Sequence, residues 1–401
     1  MATPPAQKRD AAAWLNGFWH WLDRNILELG REMRLSYLPP LMVYAAAGIS
    51  GLTSIVGTFF VKDYLNLSAG FLAALAFWAG IPWALKMPLG HLVDLIWRHK
   101  AGLVFLGAGM ITGSLFIMLG LLSDPDAMAQ VMPVEAWYVF SVLLAPVGYV
   151  VQDVVADAMT VEAVPLVDQD GHTFPAGTRR LMHTTMQTLG RVAIISGTVF
   201  VALLNVFMFA GVETLDEAAK LDIYTRIYSL ALVIPVVSVA GVLLGGTLKR
   251  REMRRLRQHG IDHAQADELV YGRPERTSPN WWILGGSLVF VVFTVSMGLG
   301  DVSYNQEIIF AGSMLIVLFL ISRLLKVLEP AARNVLLGTA IIIFVYRAMP
   351  TPGAGQTWWM IDQLGFDQQF LSVLSLISSA LALFGMFIFR RFMAEKSIAY
   401  I

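Results

Sequence analysis

Long apolar runs recur along this chain at 39–61, 69–95, 101–122, 137–160, 181–208, 223–248, 281–299, 305–327, 335–361 and 369–389, ten in all. A run of about 20 such residues matches the hydrocarbon thickness of a bilayer. Lipid offers the backbone no hydrogen-bond partner, so each run must satisfy its own peptide groups as a helix. Composition agrees, because 56% of the 401 residues are hydrophobic and only 14% are charged. Soluble domains carry about a quarter charged residues. The expected fold class is an all-α polytopic membrane protein seated in the lipid bilayer.

Basic residues are unevenly placed between the runs. Arg98 and Lys100, Arg179 and Arg180, the cluster Lys249 to Arg257, and Arg323, Lys326 and Arg333 follow even-numbered runs. The alternate connections hold few cations and several acids, among them Asp124, Asp126, Glu135, Glu213, Asp216 and Glu217. The positive-inside rule then puts the N-terminus in the cytoplasm of a cell with an inner or plasma membrane. A net charge of zero predicts no nucleic-acid partner. With no cysteine present, disulfides, thiolate metal sites and cysteine nucleophiles are excluded. The first 38 residues show no cleavable signal peptide. There is no phosphate-cradling glycine loop, no metal spacing among His91, His172 and His183, and no serine–histidine arrangement. Neither a cofactor nor an enzyme activity is expected.

Organisation follows from these runs. Residues 1–38 contain an amphipathic stretch over 11–34, with Trp14, Phe18, Leu22, Ile26 and Leu29 near one face. Such a helix suits the membrane interface or a partner protein. Six runs fill 39–248, a basic polar loop covers 249–280, and two further runs occupy 281–328. These two carry Asp301 and Glu307 only at their turn. The region 335–401 then reads as a new start. Residues 59–68 can be laid over 358–367, with Asp63 on Asp362, Leu65 on Leu364 and Phe71 on Phe370. Gly385, Arg390 and Lys396 loosely echo Gly90, Arg98 and Lys100. Parallel six-helix repeats are one plan of transporters. On that plan the second half is incomplete, either cut short after Ile401 or native to a ten-helix form.

Charges inside the runs are the candidate site, since burying one in lipid costs at least a few kcal/mol. Lys86 lies between Pro82 and Pro88, which should bend its helix. It either snorkels, pairs with an acid, or serves substrate or proton coupling. Asp153 and Asp157 are four apart and share a helix face. Asp153 either joins a structural network with Lys86 or Arg191 or carries a proton. Asp157 and Glu162 sit nearer the basic end and suit gating. Arg191, with Gln187 one turn away, falls near mid-membrane, where it either binds an anionic substrate or pairs with Asp153. Arg347 either contacts substrate or lines the cavity; it precedes Pro350, Pro352, Gly353 and Gly355, a pattern that should break the helix beside a transport site. Trp83, Tyr149 and Tyr346 either stack on a flat ligand or pack in the core. Gly90, Asp94, Arg98 and Lys100 suit a tight turn in which glycine lets two helices approach and Asp94 caps or pairs.

That turn resembles the loop between helices two and three of the major facilitator superfamily, where it controls conformational switching. Three segments together resemble the folate–biopterin transporter family of that superfamily. They are Val61 to Ser68, Ile81 to Gly90 with Asp94, and Asp153 to Ala158 with Glu162. Leu364-Gly365-Phe366 fits as well. The likeness covers the first four runs and, less fully, 340–390. The 281–327 pair and the short C-terminal region depart from the twelve-helix layout. The resemblance implies a major-facilitator-like helix bundle that takes up folate- or pterin-like anions by proton symport. It implies that Lys86, Asp153 and Asp157 serve transport, with Asp94 and Arg98 in gating. A second reading is a non-transporting assembly or delivery factor of the same fold, with a membrane-protein partner at the N-terminal helix or at 281–327.

Overall fold

The computed structural model describes residues 16–17, 19–167, 172–271, 278–300, 302–326, 328–349, 352–395 and 400. Trp14, Phe18, Asp301, Pro350, Lys396 and Ile401 lie outside them. Among the described residues the chain is helical and has no strand, only an isolated bridge between Val167 and Thr173. Nine helices there are long and apolar enough to cross a membrane. The protein is an all-α, polytopic, integral membrane protein.

The first six spans form one bundle. They are α1 (Leu35–Tyr64), α2 (Ala69–Leu95), α3 (Ala101–Ser123), α4 (Val134–Ala163), α5 (Ala176–Met208) and α6 (Glu217–Gln258). α1 lies centrally and packs on α4, α5 and α6, while α3 pairs closely with α4. Small residues make these crossings possible, because interhelical attraction in lipid depends on close van der Waals contact. A methyl group on Gly148 would sit 2.6 Å from the Gly107 carbonyl oxygen, and one on Gly197 would sit 2.8 Å from Gly48. The largest core cluster gathers Val56, Phe59, Phe60, Leu115, Met118, Tyr224 and Ile227 from α1, α3 and α6. Buried Gln152 donates to the Val104 carbonyl at 3.1 Å and to the Ser238 hydroxyl at 3.0 Å, tying α4 to α3 and α6.

The bundle has a basic and an acidic end. Lys100 and Lys249 meet at one end. Tyr64 and Glu217 meet at the other, 2.7 Å apart. A short helix α7 (His263–Tyr271) folds back on α6 at the basic end. Next come α8 (Trp281–Leu299) and α9 (Asn305–Leu325), an antiparallel hairpin whose first helix touches α2.

The expected span at 335–361 is not one helix. It divides into α10 (Pro330–Arg347) and α11 (Gly353–Leu364). The division falls at the Pro/Gly stretch, where proline lacks the donor that a helix needs. α10 has no buried residue, whereas α11 packs on the first half of α2. α12 (Gln368–Glu395) runs along α5. The N-terminal segment is also not a free surface helix. Leu29 is buried, Glu32 accepts from Thr185 of α5 at 2.6 Å, and Trp21 lies 6.5 Å from the Phe384 ring of α12.

The two segments that align in sequence share a local geometry. Asn66 and Gly365 occupy the same aligned position, and both have positive φ, 50° and 67°. Two residues on, the Ser68 hydroxyl accepts from Phe71 N–H at 3.1 Å, and the Asp367 carboxylate accepts from Phe370 N–H at 2.7 Å. Each pair caps the start of the next helix.

Candidate functional site

α2 changes pitch at the point where it carries its lysine. The Leu85 N–H donates to the Pro82 carbonyl at 3.1 Å, three residues back instead of four. Pro88 has no N–H to return to Ala84. The expected bend is therefore a break between Ala84 and Lys86. It turns Lys86 towards α4, where Asp153 and Asp157 stand one turn apart. The Lys86 Nζ lies 2.5 Å from Asp153 Oδ2 and 2.9 Å from Asp157 Oδ2. One ammonium thus bridges two carboxylates. The other Asp157 oxygen accepts from the Tyr44 hydroxyl at 2.5 Å. The Tyr44 ring lies against α5 at Gly190, where a methyl group would come within 2.9 Å of Cε2.

α5 completes the constellation. Thr160 donates to the Asp157 carbonyl at 2.6 Å, and Gln187 Nε2 reaches the Thr160 hydroxyl at 3.4 Å. Arg191, one turn beyond Gln187 and near the middle of its 33-residue helix, is exposed. Among the described residues no ion pair to it is formed, although it lies within electrostatic reach of Asp153 and Tyr44. Lys86, and not Arg191, is therefore the cation that holds Asp153. Two cations and two carboxylates share this region, and its side chains are unevenly exposed. Side-chain exposure is 42% for Lys86 and 46% for Asp157, against 13% for Asp153. A charge-balanced cluster at that depth can exchange one ion pair for another without leaving a bare charge in the membrane.

The other sequence candidates are distributed differently. Trp83 is exposed on the turn before Lys86, while Tyr149 packs on the large core cluster. Arg347 and Tyr346 end α10 and are exposed, and among the described residues neither forms an ion pair or hydrogen bond with the charged cluster.

The Gly90–Lys100 turn builds a second network at the basic end. Glu162, from the end of α4, holds Lys100 at 2.5 Å and Lys249 of α6 at 2.7 Å. Lys100 also donates to the Trp97 carbonyl at 3.1 Å and stands 3.6 Å over the Trp97 ring. Burial pushes the Lys100 ammonium down to about 8, against the pull of Glu162. Asp94 faces this network within electrostatic range of Lys100. Arg98 pairs with Asp267 of α7 at 2.5 Å. The expectation for Gly90 needs correction: a methyl group there would meet only Val154 at an ordinary 3.9 Å. The close helix approaches are at Gly107 with Gly148 and at Gly48 with Gly197.

A third network closes the acidic end. Lys62 pairs with Asp362 at 2.7 Å, Gln368 donates to the Tyr224 hydroxyl at 2.8 Å, and Gly211 N–H donates to Gln369 at 3.1 Å. Each contact joins the first bundle to α11 or α12. Sequence reasoning missed Tyr44, Asp267, Lys249 as a partner of Glu162, and the Lys62–Asp362 pair. Tyr44 lies in an apolar run and reads there as core, and the ion pairs join residues far apart in the chain. No protein-family model, curated protein or solved structure matches this chain.

Proposed function

We propose that this protein is a secondary transporter that moves small organic anions by alternating access, coupled to protons. The observation that carries the proposal is the open charged cluster of Lys86, Asp153, Asp157, Tyr44 and Arg191 on α1, α2, α4 and α5. Its cation Arg191 lacks an acid partner among the described residues, and its guanidinium fork suits a carboxylate. Asp153 and Asp157, sharing one ammonium, are the proton acceptors of the scheme. Folate- or pterin-like anions are the substrate class, a choice supported by the sequence resemblance. Asp94, Arg98, Lys100 and Glu162 then form the cytoplasmic gate, Lys62 and Asp362 the outer one. The Lys/Arg distribution supports a cytoplasmic N-terminus in an inner or plasma membrane.

The test is uptake of radiolabelled folate into vesicles containing the purified chain, with and without an inward proton gradient. Gradient-stimulated accumulation is the expected result. Folded protein that accumulates neither folate nor a pterin removes this substrate class. The exposed faces of α8, α9 and α10 favour a second reading, an assembly factor that docks another membrane protein. A stoichiometric partner retained through mild detergent extraction, together with absent uptake, is the result that reading predicts.

A further inference from the structure

The α8–α9 hairpin carries a cation that the transport scheme does not use. Arg323 closes the span of α9, level with the start of α8. Its guanidinium carbon lies 4.3 Å from the Trp282 ring centroid and 5.3 Å from that of Phe319. The two rings fix the group by cation–π attraction, and Trp282 and Phe319 themselves meet edge to face at 5.8 Å. No carboxylate pairs with Arg323 among the described residues. Lys326 follows one turn later, and Arg333 opens the next helix. Between 323 and 333 these three cations face one acid, Glu329. Trp281 and Trp282 are 75% and 54% exposed, as expected of aromatic side chains at the headgroup level.

We propose that this corner binds an anionic phospholipid by its headgroup phosphate, with Arg323 as the principal contact. A guanidinium held by aromatic rings and by no carboxylate leaves N–H donors that match two phosphate oxygens. Lys326 and Arg333 add longer-range attraction. The source of the phosphate is lipid, since few residues of either helix are buried, only 6% and 11% of those in their most apolar windows. An acyl chain would lie along that surface while its headgroup reaches Arg323. The excess of cations favours an anionic lipid over a zwitterionic one.

The test uses the full chain purified in mild detergent and exposed to equal amounts of phosphatidylglycerol and phosphatidylcholine. Native mass spectrometry then reads the lipid retained. Phosphatidylglycerol should be retained in preference by about fivefold or more, and Arg323→Gln should remove that preference. Arg323→Lys should restore part of it, and inorganic phosphate should not compete. Equal retention of both lipids, or unchanged preference in Arg323→Gln, would overturn the assignment. Competition by free phosphate would replace the lipid with a soluble anion. Thermal unfolding of each variant beforehand separates loss of the site from loss of the fold.

Discussion

Lys86 is the residue on which the central cluster depends. Replacing it with Gln leaves two carboxylates on adjacent turns of α4 facing each other with no shared cation. Lys86→Gln should therefore abolish uptake and lower the melting temperature, and adding Asp153→Asn should recover melting but not uptake. A melting temperature unchanged in the single variant would show that the bridge contributes nothing to the fold. Arg191 should behave differently, because it forms no ion pair with an acid among the described residues. Arg191→Lys loses the fork and at least one charge-assisted hydrogen bond, worth about 1.5–3 kcal/mol, so anion binding should weaken about tenfold or more. The fold should be unaffected, and retained affinity in that variant sinks the substrate role. Lys100 yields a pH prediction. Its proton leaves the folded protein near pH 8 but the unfolded chain only near 10.5. Between those values the unfolded state holds more protons, so stability should rise with pH. The favourable contribution is complete above about 10.5 and is lost as pH falls through about 8. Melting curves of wild type and Lys100→Met across that window check it: the rise attributable to Lys100 should vanish in the variant.

At the scale of helices, most of the architecture was legible in the sequence. Nine of the apolar runs became membrane-length helices because lipid leaves the backbone no alternative, and the break in α2 followed from Pro82 and Pro88. The tenth run divides where its sequence carries proline and glycine: α10 ends at Arg347, and α11 begins at Gly353 after Pro352. The partners were less legible. Lys86 with Asp153 could be anticipated from equal depth, but the choice of Lys86 over Arg191 depends on how α2 and α5 rotate. The close approaches are legible no better: Gly48 with Gly197 sets α5 against α1 and Gly107 with Gly148 sets α3 against α4, and the four read as glycines among many. Gly148→Ala should accordingly wedge α3 from α4 and cost about 1–3 kcal/mol, whereas Gly90→Ala should cost little. Thermal unfolding of the two purified variants distinguishes them; equal loss would contradict the packing described.

The acidic end matters at the scale of the whole molecule. There Lys62–Asp362, Gln368–Tyr224 and Gln369–Gly211 join segments that lie more than 140 residues apart. In the proposed cycle these contacts must break for the outer side to open. Asp362→Lys should expose the interior from that side, and Lys62→Asp with Asp362→Lys should close it again. The absence of native cysteine makes the measurement direct: a single cysteine at Gln187, labelled by an impermeant maleimide from the acidic side, should react faster in the single variant only. Equal rates in all forms would show that the pair does not hold the end shut. The aligned caps at Ser68 and Asp367 made this region partly readable, because they marked two turns of one design. That Lys62 and Asp362 pair was not readable, since an alignment gives likeness and not proximity.

The interrupted turn at Leu85 has an electrical consequence. Lys86 and Asp157 are open at a depth where a continuous apolar wall would exclude water. Solvent that reaches them carries the bulk potential inward with it. Most of the membrane voltage would then fall across the remaining layer between the cluster and the acidic end. An ion crossing only that layer would still sense nearly the full field, worth about 2.3 kcal/mol per charge at 100 mV.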